Sequence, residues 1–168
     1  MKKLILTILA LLLFVVPCFA LGTITVANDS IYDGPNGGKA FRVITITFIA
    51  DVAAGTIPDL TLNDSTSGMI GKTESILGWY GYNVEIDCNH AGTEPTEDSE
   101  LYIYQNGIDI LGGNGVNQVD NTAEREVFFS FSSLGETRPV FDTWTVRITQ
   151  QAAATNSATG TIRLILVP

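Results

Sequence analysis

Leu101-Tyr102-Ile103-Tyr104-Gln105-Asn106-Gly107-Ile108-Asp109-Ile110-Leu111 sets two alternating, β-prone runs on either side of an Asn-Gly dipeptide. Asn and Gly tolerate the positive φ angles of a tight hairpin turn, so this spacing is the strongest short-range hairpin signal a sequence offers. The reading predicts that Leu101 to Tyr104 pairs with Ile108 to Leu111 across Gln105-Asn106-Gly107. It also predicts that Tyr102 and Tyr104 share one face, because strand side chains alternate with period two.

The same period extends outward in both directions. On the N-terminal side, Tyr82, Val84, Ile86 and Cys88 fall on one face and Asn83, Glu85 and Asp87 on the other, a half-buried strand that points Cys88 inward. Further back, Phe41 to Ala50 sets Ile44, Ile46 and Phe48 against Val43, Thr45, Thr47 and Ile49, a strand expected to be buried on one side and largely covered on the other. Thr23 to Ala27 alternates before a turn-rich stretch containing Asp33-Gly34-Pro35-Asn36-Gly37-Gly38, and Leu60 to Leu62 is a shorter strand. On the C-terminal side lie Val127 to Phe131, then Trp144, Val146 and Ile148 alternating with Thr145, Arg147 and Thr149, then Ile162, Leu164 and Leu166. Seven to nine such strands, without strand-helix alternation, predict an all-β single domain: an antiparallel β-sandwich, jelly-roll-like in arrangement.

Ahead of this domain, Lys2 and Lys3 precede an apolar run from Leu4 to Val16, and Pro17-Cys18-Phe19-Ala20 offers small residues at the −1 and −3 positions of a cleavage site. That layout is a secretory signal peptide over residues 1–20, leaving a domain of residues 21–168 outside the cytoplasm. The run is short against the roughly 20 apolar residues of a spanning helix, so no membrane anchor is expected after cleavage. Cys18 leaves with the leader and Cys88 stands alone, which rules out an internal disulfide and favours a buried thiol. The whole chain carries 9 Lys+Arg against 18 Asp+Glu, a formal −9, and the leader holds two of the positive charges. Nucleic-acid phosphate and anionic lipid are repelled by such a field.

Catalytic chemistry finds few residues to use. The single histidine, His90, would have to serve any Ser-His-acid triad, and a Cys88-His90 dyad needs an exposed, electropositive thiol. One Cys and one His make half a transition-metal site. Glu94, Glu97, Asp98 and Glu100 cluster in a loop and Glu85 and Asp87 alternate on a strand, yet neither group has the apolar pocket that separates the pKa values of an acid and a base. No cofactor is expected, and calcium is the one ion considered. Its oxygen ligands would come from Asn114, Asn117 and Asp120, or from Asp33 and Asn36, although turn chemistry accounts for the same residues. Trp79, Tyr80 and Tyr82 form an aromatic cluster that a glycan-binding face could use, or that fills the core.

Gly92-Thr93-Glu94-Pro95-Thr96, Leu101 to Tyr104 and Asn106 to Gly113, within residues 92–124, resemble a module of small β-sandwich proteins from bacteriophage virion gene sets. Residues 156–164, Asn-Ser-Ala-Thr-Gly-Thr-Ile-Arg-Leu, are similar to the closing hairpin of those proteins. The resemblance implies a non-enzymatic structural or surface-decorating protein. The expectation is therefore an extracytoplasmic assembly subunit, secreted, at the cell surface or on a virion surface. Its partner would be a copy of itself or another surface protein. The N-terminal strand Thr23-Ile24-Thr25-Val26 is the segment expected to complete a neighbour's sheet. The alternative is a secreted carbohydrate-binding module that uses Trp79, Tyr80 and Tyr82.

Overall fold

The computed structural model describes residues 22–34, 37–63, 66, 68–69, 76–88, 93–96, 99–119, 123–129, 138–150 and 155–168. The leader, His90, Asn36, Glu97, Asp98 and Asp120 lie outside them. Among the described residues there is no helix, and ten strands form two antiparallel sheets. The first sheet, A, contains β1 (Thr23–Asp33), β2 (Lys39–Ile49), β10 (Thr159–Val167), β4 (Tyr80–Asp87) and β7 (Arg125–Phe128), in that order. The two-residue β8 (Arg138–Pro139) pairs with β4 beside Tyr80 and Gly81. The second sheet, B, runs β3 (Leu60–Leu62), β9 (Trp144–Thr149), β5 (Glu100–Gln105), β6 (Ile108–Asp109). The expected β-sandwich is the architecture found.

The alternation read from the sequence sets the faces. Ile44, Ile46 and Phe48 of β2, Val84 and Ile86 of β4 and Ile162, Leu164 and Leu166 of β10 turn inward from sheet A. Leu101 and Ile103 of β5 and Trp144, Val146 and Ile148 of β9 meet them from sheet B. Trp144 is fully buried, packs its ring on Phe129 with centroids 5.0 Å apart, and donates its indole N–H to Gln105 Oε1 at 2.8 Å. A buried indole needs such an acceptor, and Gln105 supplies it from the facing position on β5.

The hairpin at Asn106-Gly107 forms with both residues at positive φ, 51° and 75°. Gln105, which the sequence reading placed in the connection, instead ends β5 and pairs with Ile108, so the turn has two residues. Beyond Asp109 the chain leaves the strand and winds through turns to Val119 along the outer edge of β5. Leu101 N–H donates to the Gly115 carbonyl at 2.9 Å and Val119 N–H to the Ser99 carbonyl at 2.9 Å. That edge of sheet B is thereby covered.

Two departures from the predicted strands share one cause. The N-terminal strand does not stop at Ala27 but continues to Asp33, with a bulge between Val26 and Asn28 that shifts the alternation by one. On β4 a second bulge, between the positions facing Ile165 and Leu166, places Gly81 inward and Tyr82 outward. A bulge inserts one unpaired residue and breaks a strict period of two. Gly81 is needed there, since a Cβ would meet the rings of Phe129 and Trp144 at 2.9 Å.

Candidate binding faces

The outer face of sheet A is ordered in rows by the strand register. Tyr32 faces Phe41, Leu166 faces Arg42 so that Val167 continues beside Phe41, and Val167 faces Tyr80. This row crosses four strands. The next row runs Ser30, Val43, Ile165, Asn83 and Phe128 across five, with the bulged Tyr82 beside Phe128 at a centroid distance of 6.0 Å, edge to face. Tyr32 and Phe41 stack at 4.6 Å. Tyr32, Tyr82 and Phe128 are 47%, 46% and 49% exposed, too open for core residues. The third row is charged: Arg163 faces Glu85, which faces Glu126. Arg163 lies 3.6 Å from Glu85 and 3.8 Å from Asp87. The face therefore divides into an aromatic end and a polar end.

The aromatic cluster predicted from the sequence is split by this geometry. Tyr80 and Tyr82 are exposed, but Trp79 is 5% exposed and packs in the core, with the Lys39 ammonium 5.5 Å and the Arg42 guanidinium 5.8 Å from its ring centroid. Trp79 is thus removed from any glycan-binding face, because the bulge turns the two residues on either side of Gly81 outward while Trp79, before the strand, turns in.

The expected assembly strand is not free. Thr23, Ile24, Thr25 and Val26 are paired with Ile49, Phe48, Thr47 and Ile46 of the same chain. Only the outer edge of β1 remains, and it is interrupted by the bulge and by Asp29, which points inward to Arg42. A bulge and an inward charge are features that discourage a further strand from adding to an edge.

Two of the residues considered for calcium have roles in the turns. Asn114 donates its side-chain amide to the Phe128 carbonyl at 3.2 Å, and Asn117 adopts φ 56° in a turn. The Asp109 carboxylate accepts the N–H groups of Leu111 at 3.0 Å and Gly113 at 2.9 Å, which is turn chemistry. Asp120 lies outside the described residues, and among those described no three His, Cys, Asp or Glu side chains gather as a metal site. Cys88 is buried at 2% exposure. Glu85 and Asp87 flank Arg163 on an open sheet face. Glu100 accepts the Tyr102 hydroxyl at 2.8 Å, a bond that raises the phenol pKa above its usual value.

The outer face of sheet B holds a constellation that sequence reading only half anticipated. Tyr102 and Tyr104 stack with centroids 5.8 Å apart and planes 21° from parallel. Arg147 stands opposite Tyr102 on β9, and Thr145 opposite Tyr104. The Arg147 guanidinium lies 5.2 Å from the Tyr104 centroid and donates from Nε to Asp59 Oδ1 at 2.9 Å and from Nη2 to Asp59 Oδ2 at 2.6 Å. The Arg147 hydrogen bond holds the Asp59 carboxyl below the ordinary carboxylate value. Nothing local to Asp59 in the sequence announces this partnership, since 88 positions separate the two residues.

No family model matches the chain, and no curated protein does. A solved structure described as a hypothetical protein from Leishmania major aligns over 88% of this chain and 70% of its own, at 12% identity and a TM-score of 0.23. A likeness at that level bears on neither fold nor function. The class that the strand pairing defines is a two-sheet antiparallel β-sandwich, with exposed aromatic residues on the outer face of sheet A and half-buried tyrosines on that of sheet B.

Proposed function

We propose that this chain is a non-catalytic, extracytoplasmic structural subunit, cell-surface or virion-borne, whose sandwich assembles with copies of itself through the outer face of sheet A. The observation that carries the reading is the aromatic end of that face. Up to five strands at about 4.8 Å spacing and two rows about 6.8 Å apart give an area on the order of 300 Å², apolar except for Ser30 and Asn83. Patches of that size on monomers are often interaction sites. A stable interface buries about 800 Å² on each partner, so the charged row joins the contact. A row carrying both signs suits an isologous pairing, in which one surface meets its own two-fold mate. The likeness of residues 92–124 and 156–164 to virion sandwich modules supports the same reading.

A glycan-binding role for Tyr80 and Tyr82 fits this face less well. Their neighbours Phe41, Val167 and Phe128 offer no side-chain hydrogen-bonding groups, and the amide of Asn83 beside them is buried and donates to Glu126, whereas a sugar needs accessible groups beside the ring that it stacks on.

Light scattering on the purified protein, beside Tyr82→Glu and Phe128→Glu, tests the assembly. The wild-type protein is expected as a defined oligomer and the charged variants as monomers. A wild-type monomer at tens of micromolar overturns the reading.

A further inference from the structure

We infer that the outer face of sheet B is a binding site for a neutral oligosaccharide, lined by Tyr104, Arg147, Asp59, Thr61 and Thr145, with Tyr102 stacked behind Tyr104. It lies on the sheet opposite the assembly surface and does not depend on it. Three observations converge there.

The first is fixed geometry at an exposed place. Arg147 and Asp59 form a two-pronged ion pair with side chains 47% and 39% exposed. The Tyr102 hydroxyl is tied to Glu100, and the guanidinium rests against the Tyr104 ring. An ion pair so open to water adds little to folding stability. Orienting these side chains in advance does lower the entropy lost when a ligand binds. The second observation is shape. Shallow depressions lie on both sides of the Asp59–Arg147 bridge, one lined by Thr61, Tyr104, Gly107 and Thr145, the other by Gly55, Thr56, Ile57 and Thr149. Gly107 leaves its side of the depression open, since a Cβ there would meet nothing within 4 Å.

The third is chemistry. A pyranose ring presents an apolar C–H face and a rim of hydroxyls. Tyrosine rings supply the apolar contact, and a clamped guanidinium, a carboxylate and threonine hydroxyls supply directional donors and acceptors for the rim. Charge selects the neutral class. Arg147 is compensated by Asp59, Glu100 and Asp109 add negative charge to the same sheet, and the chain carries a formal −9. Sulfated, phosphorylated or uronate-rich chains are repelled by that field.

The test is affinity electrophoresis of the full protein through gels containing neutral polysaccharides (β-glucan, xylan, mannan, galactan) and a sulfated galactan, followed by calorimetry with oligosaccharides of whichever is bound. At least one neutral polysaccharide is expected to retard the protein. Tyr104→Ala is expected to weaken that binding at least tenfold, and Tyr102→Ala, which removes the ring that Tyr104 stacks on, and Arg147→Lys several-fold. Tyr102→Phe, which keeps the ring, retains most of it, and Val116→Ala, at an exposed turn position on neither sheet face, leaves it unchanged. Thermal melts confirm that each variant is folded; Tyr102→Ala leaves the Asp59–Arg147 pair in place and serves if Arg147→Lys does not fold. Retardation by the sulfated gel alone, by no gel, or with sensitivity to Val116→Ala but not Tyr104→Ala overturns the inference. Since Tyr82→Glu reports on assembly and Tyr104→Ala on sugar binding, either proposal fails without the other.

Discussion

Asp29 and Arg42 face the core from adjacent strands with side chains at 0% exposure, joined by two hydrogen bonds of 2.9 and 2.6 Å. Removing two charges from water costs several kcal/mol for each, and the attraction between them roughly offsets that cost. Loss of one partner leaves the other charge buried without this ion pair, so Asp29→Ala is expected to lower stability by about 3–5 kcal/mol. Replacing both together, Asp29→Leu with Arg42→Met, is expected to be near neutral or stabilising. Chemical denaturation of the two variants separates these outcomes, and equal losses in both would show that the pair itself adds to stability. What the pair adds instead is specificity, because a charge pointing inward from β1 makes any alternative register of the edge strand costly.

At the scale of elements, legibility tracked the strictness of the period. β2, β9 and β10 were readable because Ile44-Ile46-Phe48, Trp144-Val146-Ile148 and Ile162-Leu164-Leu166 keep an unbroken alternation. β1 beyond Ala27 and the face of Tyr82 were not, since one extra residue at each bulge reverses the phase of the alternation beyond it. The sheet B constellation was legible only in its tyrosines. Arg147 read as an outward strand residue, but its partner Asp59 precedes a three-residue strand whose place beside β9 is set by tertiary pairing. The turns after Asp109 carry their own test. A Cβ on Gly115 would overlap the Leu101 carbonyl oxygen and lie 2.9 Å from Leu111 Cδ1, so the backbone itself would have to move. Gly115→Ala is expected to cost about 1–3 kcal/mol or more. Gly38→Ala, where nothing lies within 4 Å, is expected to change stability by less than about 0.5 kcal/mol. Thermal denaturation of the pair checks the contrast.

For the whole molecule, an apolar contact between copies that each carry a formal −9 sets two forces against one another. Screening weakens the repulsion and leaves the hydrophobic contact intact, the Debye length falling from about 30 Å at 0.01 M salt to about 8 Å at 0.15 M. The oligomer fraction is therefore expected to rise over that range in sedimentation velocity runs; a fall would mean that charge pairing, and not the aromatic rows, drives association. The order of strands has a further consequence. β9 lies between β3 and β5, and β10 between β2 and β4, so each sheet is completed by a strand made after both of its neighbours. On a ribosome, the β1–β2 hairpin and β4 emerge early and wait for the strand that joins them, so the pairings that unite each sheet come only when synthesis is nearly finished. Until β9 and β10 are made, neither sheet is continuous, and the chain before them is held together only by its separate hairpins and short pairings.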